Sequence, residues 1–291
     1  MSTAPTGAAA NVAAFARAIK LSHTVFALPF AIAAAWLVWQ QQDIAWHAWI
    51  WIVVAMVGAR SSAMGFNRLV DARIDARNPR TQDRELPSGR LTPAWGWALT
   101  LGSAGLLVLA AGMLDPLALK LSPVVIGVLW GYSLTKRFTA LCHLWLGMAL
   151  GLAPVCVWVA LTGGVSMAPV LMAGAITTWV GGFDILYSLQ DRGYDADVGL
   201  HSIPAALGER GALLVSGLLH VATLGFLATL PSTADLAWPY WIGVVIIAGI
   251  LGWEHTLVKP GDLSKMGKAF FQANSYVSIV FLLAVVAATI A

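Results

Sequence analysis

Charge is scarce in this chain of 291 residues, and that scarcity excludes most water-soluble folds. Aspartate, glutamate, lysine and arginine together make up 11% of it, against 59% apolar residues. A soluble domain carries charge at about a quarter of its positions, so this composition belongs to the membrane class. Cysteine is almost absent. Cys142 and Cys156 are the only two, both in one apolar run, which rules out a disulfide framework and leaves them as packing residues. Histidine is sparse, and His143, His220 and His255 show no metal-ligand spacing with one another. There is no long basic tract. The basic residues sit in short segments between apolar runs, so nucleic acid is not the expected partner. Nor is there a small-residue cleavage site after Arg17 and Lys20, so the apolar run that follows reads as a span rather than a cleaved signal.

What the sequence does have is long apolar stretches. Crossing a hydrocarbon core of roughly 30 Å takes about 20 helical residues, and helices satisfy their own backbone inside lipid. The predicted fold is all-α: a polytopic membrane protein, a bundle of nine transmembrane helices. The spans fall at about 22–40, 48–66, 93–113, 117–134, 141–163, 168–188, 211–230, 239–256 and 272–290. Residues 1–16 read as a disordered tail and 17–291 as one transmembrane domain. Fifteen of the seventeen basic residues lie in alternate polar segments; Arg60 and Lys120 are the exceptions. The positive-inside bias puts those segments and the N-terminus in the cytoplasm of a bacterial-type inner membrane. Trp36, Trp39, Trp46, Trp49 and Trp51 cluster at the first outer turn, as an interfacial belt does.

One polar island, Asn67–Arg90, interrupts this pattern with six basic and four acidic residues. Asn67, Asp71 and Asp75 are four apart. On a helix each such step rises about 6 Å and turns about 40° past a full circle, so the three side chains line one face. Stacked oxygen ligands suit a hard cation such as Mg2+. A plain topological loop, its acids pairing with its arginines, is the competing reading. A faint repeat favours the first. Asp191, Asp195 and Asp197 lie in a second segment predicted on the same side of the membrane, and the two segments are expected to face one cavity. Carboxylates flanked by arginines suit a magnesium–phosphate complex, and an apolar bundle takes a lipid tail. Together they fit a prenyl diphosphate that ionises to an allylic cation, is sheltered from water and is captured by an electron-rich acceptor.

At these residues the chain resembles the UbiA superfamily of intramembrane prenyltransferases, from about residue 17 to its end. The family's NDxxDxxxD signature appears as Asn67 through Asp75, with Arg68 in place of the usual aspartate. Its RTxxRPLxSG extension is similar to RTQDRELPSG here, its Y-x-x-x-K-R segment to Tyr132–Arg137, and its DxxxD signature to Asp191 and Asp195. The phrases NRLVDARIDARNPRT and FDILYSLQDRGYDADVGLHSIP resemble a bacterial 4-hydroxybenzoate polyprenyltransferase-like branch. The resemblance implies Mg2+ held through the diphosphate by Asn67, Asp71, Asp75, Asp191 and Asp195, the four aspartates being catalytic. It implies transfer of a polyprenyl chain from its diphosphate to an aromatic acid in ubiquinone or menaquinone biosynthesis. Arg68, rotated about 100° from Asn67, is expected outside the metal shell.

Further candidates carry two readings each. Asp184, in the last turns of the sixth span, is an intramembrane acid and by default functional. Lys136 and Arg137 suit diphosphate or an aromatic carboxylate, or serve equally as topology anchors, and the resemblance of their segment adds Tyr132 as a substrate-binding residue. Tyr187 shares a helix face with Asp191 and suits diphosphate binding, or else is a simple interfacial aromatic. Arg73 and Arg84 suit phosphate, or else pair with Asp75, Asp83 and Glu85. His23 and Ser22 open the first span, where an interfacial histidine is favoured over a proton acceptor. The alternative functions are a 1,4-dihydroxy-6-naphthoate prenyltransferase of the futalosine route, a haem O or chlorophyll synthase-type enzyme, and a transporter. A transporter places its ionisable groups near the bilayer midplane, whereas these acids lie at span ends.

Overall fold

Apolar runs of this length satisfy their backbone in lipid by coiling into helices, and this chain does so throughout. The computed structural model describes residues 7–20 and 26–291, without the side chains of 268–270. Among the described residues helix is the regular element, apart from one isolated bridge between Lys259 and Asp262. The helices are α1 Ala8–Ala18, α2 Leu28–Trp39, α3 Trp46–Asp75, α4 Pro93–Leu114, α5 Pro116–Thr135 and α6 Cys142–Thr162. They continue as α7 Met167–Ser188, α8 Arg192–Asp197, α9 Ile203–Thr229, α10 Pro239–Leu257, α11 Met266–Lys268 and α12 Asn274–Ile290. Among the described residues, eight segments are long and apolar enough to cross a membrane, and α2 is a ninth, shorter apolar helix.

Local chemistry sets the helix starts. Thr92 and Ser202 accept the backbone N–H groups of Trp95 and Ala205, and the Asp115 carboxylate accepts that of Leu117 at 2.7 Å. Each of these caps precedes a proline in the first turn, Pro93, Pro204 or Pro116, where the missing N–H costs nothing. The first predicted span differs in its start. Pro29 opens α2 and sets its first turn at Leu28. Ser22 and His23 lie outside the described residues. Helix also occupies Ala8–Ala18, where the sequence reads as tail, because Ala14, Phe15 and Ala18 bury an apolar face against Leu91.

The chain divides into two compact units, Met1–Thr24 with Ile50–Leu134 and Val25–Trp49 with Thr135–Ala291. In the first, α1 packs on α4, and the Phe66 ring of α3 stacks on Trp130 of α5 with centroids 4.7 Å apart. In the second, α7 packs along both α6 and α9, α2 lies against α6 and α12, and α10 pairs with α12. The fully buried Trp179 of α7 meets Phe30 at 5.4 Å, and Phe30 stacks on Phe281 at 4.5 Å. Leu101, Val124, Leu214, Val221, Val245 and Leu283 are mostly exposed on span helices. Apolar side chains so displayed need lipid as solvent, and the protein is a multi-pass membrane protein.

Candidate active site

The first acid motif rides on the last turns of α3. Its 30 residues run without a break from the apolar span through Asp75, so one rigid element carries Asn67, Asp71 and Asp75. Asp71 is 2% exposed and its carboxylate accepts the Asn67 amide N–H at 3.1 Å. The helix stops where Asn78 and Pro79 follow, because proline disfavours helix in the residue before it. The chain then folds back. The Thr81 hydroxyl donates to the freed Asp75 carbonyl at 3.1 Å, and the Arg84 backbone N–H donates to the Thr81 carbonyl at 3.0 Å. That single turn delivers Arg84 to Asp75. One guanidinium nitrogen lies 2.8 Å from both carboxylate oxygens. Asp75 is buried, so an unpaired charge there would be costly.

Around these acids the first unit gathers positive charge. Arg68 is buried, and its Nε–H donates to the Ala18 carbonyl at the end of α1 at 3.0 Å. The Tyr132 hydroxyl donates to the Met64 Sδ at 3.7 Å and lies within electrostatic reach of Arg68, Asp71 and Arg60. Arg60 stands seven residues before Asn67, a rotation of about 20° short of two full turns, so it shares the acid face about 10 Å deeper. Its NH2 group donates to the Lys20 carbonyl at 3.4 Å, and its buried Nε has no hydrogen-bond partner among the described residues. Arg73 is exposed on α3, and among the described residues it is Arg84 that pairs with Asp75.

The second motif follows α7. A 3-10 turn, Leu189–Asp191, leads into α8, so Asp191 and Asp195 are again one helical turn apart. Asp195 accepts a hydrogen bond from the Ser202 side chain and lies within reach of the charges of Asp191, Lys136 and His143. The backbone returns tightly after it. Leu200 N–H donates to the Asp195 carbonyl at 2.8 Å, with Gly199 supplying a left-handed φ of 72°. His201 N–H then donates to the Lys136 carbonyl at 2.7 Å. This bond brings the Tyr132–Arg137 segment's Lys136 beside the second motif. Lys136 is half-buried and Arg137 exposed. Tyr187, half-buried, is one turn before Asp191. Asp184 is engaged by His143, Nδ1 to Oδ2 at 2.7 Å.

Sequence reasoning did not single out Thr81, Arg60 or His143. Thr81 was legible in the Thr81–Arg84 spacing of one turn. Arg60 was legible in its seven-residue offset from Asn67 and in being an arginine inside a span. His143 left no sequence signal, because its partners are 41 and 60 residues away.

The donors suit magnesium: carboxylate and amide oxygens, with no soft ligand among them. Among the described residues no three His, Cys, Asp or Glu side chains gather as a metal cage.

Residues 27–287 match the model of the UbiA prenyltransferase family. The 4-hydroxybenzoate octaprenyltransferase of Klebsiella pneumoniae is 28% identical over 273 residues, 93% of this chain and 94% of the relative. The apo structure of a UbiA homolog from Aeropyrum pernix K1 superposes with a TM-score of 0.83 at 31% identity, covering 92% of this chain and 98% of that one. A UbiA homolog from Archaeoglobus fulgidus, solved bound to GPP and Mg2+, has the same fold, with a TM-score of 0.66 at 15% identity over 94% and 99% of the two chains. By its matched length, its motifs and its fold, the chain belongs to the UbiA prenyltransferase family.

Proposed function

We propose that this enzyme transfers a polyprenyl group from its diphosphate to an aromatic acid of the 4-hydroxybenzoate type, with Mg2+, in quinone biosynthesis. The observation that carries this reading is the Asp71–Asp75 end of α3. There, at the rim of an apolar helix, Asp71 and Asp75 are both buried and the Asp75 carboxylate is already answered by Arg84. Such a group of charges suits a metal-bearing diphosphate whose tail is lipid. The name of the Klebsiella relative supports the acceptor class, and the ligands of the Archaeoglobus homolog support the donor and the metal.

Asn67, Asp71, Asp75, Asp191 and Asp195 would hold magnesium through the diphosphate. When bound, the ion supplies charge neutralisation to the leaving diphosphate. Arg84, Lys136 and Arg137 add positive charge to the phosphate oxygens as the C–O bond breaks. The allylic carbon is then attacked by the ring, which loses a proton as the new C–C bond forms. Apolar span side chains keep water from the cation. Arg60, inside a span and with an Nε–H that meets no acceptor among the described residues, suits the carboxylate of the acceptor. By the positive-inside bias, the N-terminus and both motifs face the cytoplasm of an inner membrane.

The test uses membranes containing the protein, labelled polyprenyl diphosphate and 4-hydroxybenzoate. Asp71→Ala and Asp191→Ala are expected to abolish transfer while the protein stays folded and membrane-inserted. EDTA is expected to stop the native reaction and added magnesium to restore it. Near-normal turnover by both variants, or indifference to chelator, overturns the mechanism.

A further inference from the structure

Both ring nitrogens of His143 are engaged, and by different segments of the fold. The residue sits in the first turn of α6 and is 3% exposed. Nδ1 lies 2.7 Å from the Asp184 Oδ2 on α7, and the Ile203 N–H donates to Nε2 at 3.3 Å. A backbone amide only donates, so Nε2 is the acceptor and the Nδ1 proton goes to Asp184. Ile203 is the first residue of α9, and the opening N–H groups of a helix have no acceptor within it. Ser202 takes the N–H of Ala205, and His143 takes that of Ile203. The imidazole therefore acts as a second cap for α9, supplied from another helix and braced by Asp184.

This cap lies next to the second acid motif. Ser202, immediately before Ile203, is the residue whose side chain hydrogen-bonds the Asp195 carboxylate. Leu200 closes back on the Asp195 carbonyl, and His201 ties to Lys136. Whatever holds Ile203 in place holds the short return, 198–202, that presents the Ser202 hydroxyl and Lys136 to Asp195. An apolar residue at 143 would fill the volume but leave a buried amide and a carboxylate without their partners.

We propose that His143, braced by Asp184, is a positioning residue for the second acid motif: it caps α9 at Ile203 and thereby sets the Asp195 carboxylate for a magnesium-bearing diphosphate. This rests on the function proposed above. Groups that orient a carboxylate ligand in this way are worth roughly 10–100-fold in metal affinity.

The experiment measures binding of inorganic pyrophosphate, titrated with magnesium, to full-length protein in detergent by calorimetry. The KM for magnesium and kcat are measured in parallel. His143→Leu is expected to weaken magnesium-dependent pyrophosphate binding roughly tenfold or more and to raise the KM for magnesium more than it lowers kcat. His143→Gln has an amide that can donate to Asp184 and accept from Ile203, and it is expected to stay within about threefold of native, the scale of a retained bond. Ser202→Ala, a milder change that keeps the ring, is expected to shift the same two quantities in the same direction should His143→Leu fail to fold. If the native protein binds pyrophosphate with magnesium and all three variants bind like it, this inference alone falls. Equal loss in His143→Leu and His143→Gln also overturns it. If the native protein shows no magnesium-dependent binding at all, the underlying function falls with it.

Discussion

Removing the Arg84 guanidinium tests how the first motif is held ready. In Arg84→Ala the Asp75 carboxylate, 8% exposed at its side chain, loses a nitrogen 2.8 Å from each of its oxygens. Breaking a fully buried ion pair from one side costs about 3–5 kcal/mol. The Arg84 side chain is 24% exposed, so water can approach the vacated place and screening reduces the cost. The expected loss is about 2 kcal/mol, a roughly thirtyfold fall in the folded-to-unfolded ratio. It is read by denaturant titration in mixed micelles. Asp75→Asn removes the charge that needs answering. In that background Arg84→Ala is expected to cost under about 1 kcal/mol, leaving a coupling of at least 1 kcal/mol between the two sites. The KM for the prenyl diphosphate should rise in Arg84→Ala, since the same cation is assigned to phosphate. An Arg84→Ala protein as stable as native, or a cycle with no coupling, would refute the idea that Asp75 depends on Arg84.

Two packing predictions address the second unit, where α7 carries the approach to Asp191. A Cβ at Gly151 of α6 would stand 2.7 Å from the Ala173 carbonyl of α7. Gly151→Ala should therefore force the helices apart and cost about 1–3 kcal/mol, visible as a lower thermal midpoint; an unchanged midpoint counts against so close a contact. Asn274 accepts the Trp179 indole N–H and donates to Glu254, both at 2.8 Å and all buried. Asn274→Leu leaves both partners unanswered and should cost at least about 2 kcal/mol, whereas Glu254→Gln, which keeps an acceptor for Asn274, should cost clearly less.

Much of the site was legible because it is local. Asn67, Asp71 and Asp75 share a face by helical spacing alone, and α3 is indeed one helix through all three. Asp191 and Asp195 follow a similar rule across a 3-10 turn and the start of the short α8. What escaped was the length of elements and the fate of the arginines. The seventh span was expected at 211–230, yet α9 begins at Ile203 and passes a break at Gly208, whose φ of 69° and ψ of −178° suit glycine alone. Apolar periodicity marks where lipid is, not where the backbone begins to coil. Arg73 and Arg84 looked alike in sequence. The chain reversal at Asn78–Pro79 and the Thr81 bond turned Arg84 inward, while Arg73 stayed exposed on α3.

Composition and apolar run length determined by themselves that this chain would be a helical membrane protein, because lipid offers the backbone no other partner. The four-residue spacing placed Asn67, Asp71 and Asp75 on one face of α3. Tertiary structure alone decided which charge answers which. Arg84 meets Asp75 across a reversal, Arg68 turns to the end of α1, and His143 joins α6 to Asp184 and to the start of α9. Hydrogen bonds form between atoms brought within about 3 Å, and over separations of 41 to 60 residues only the packed fold sets that distance.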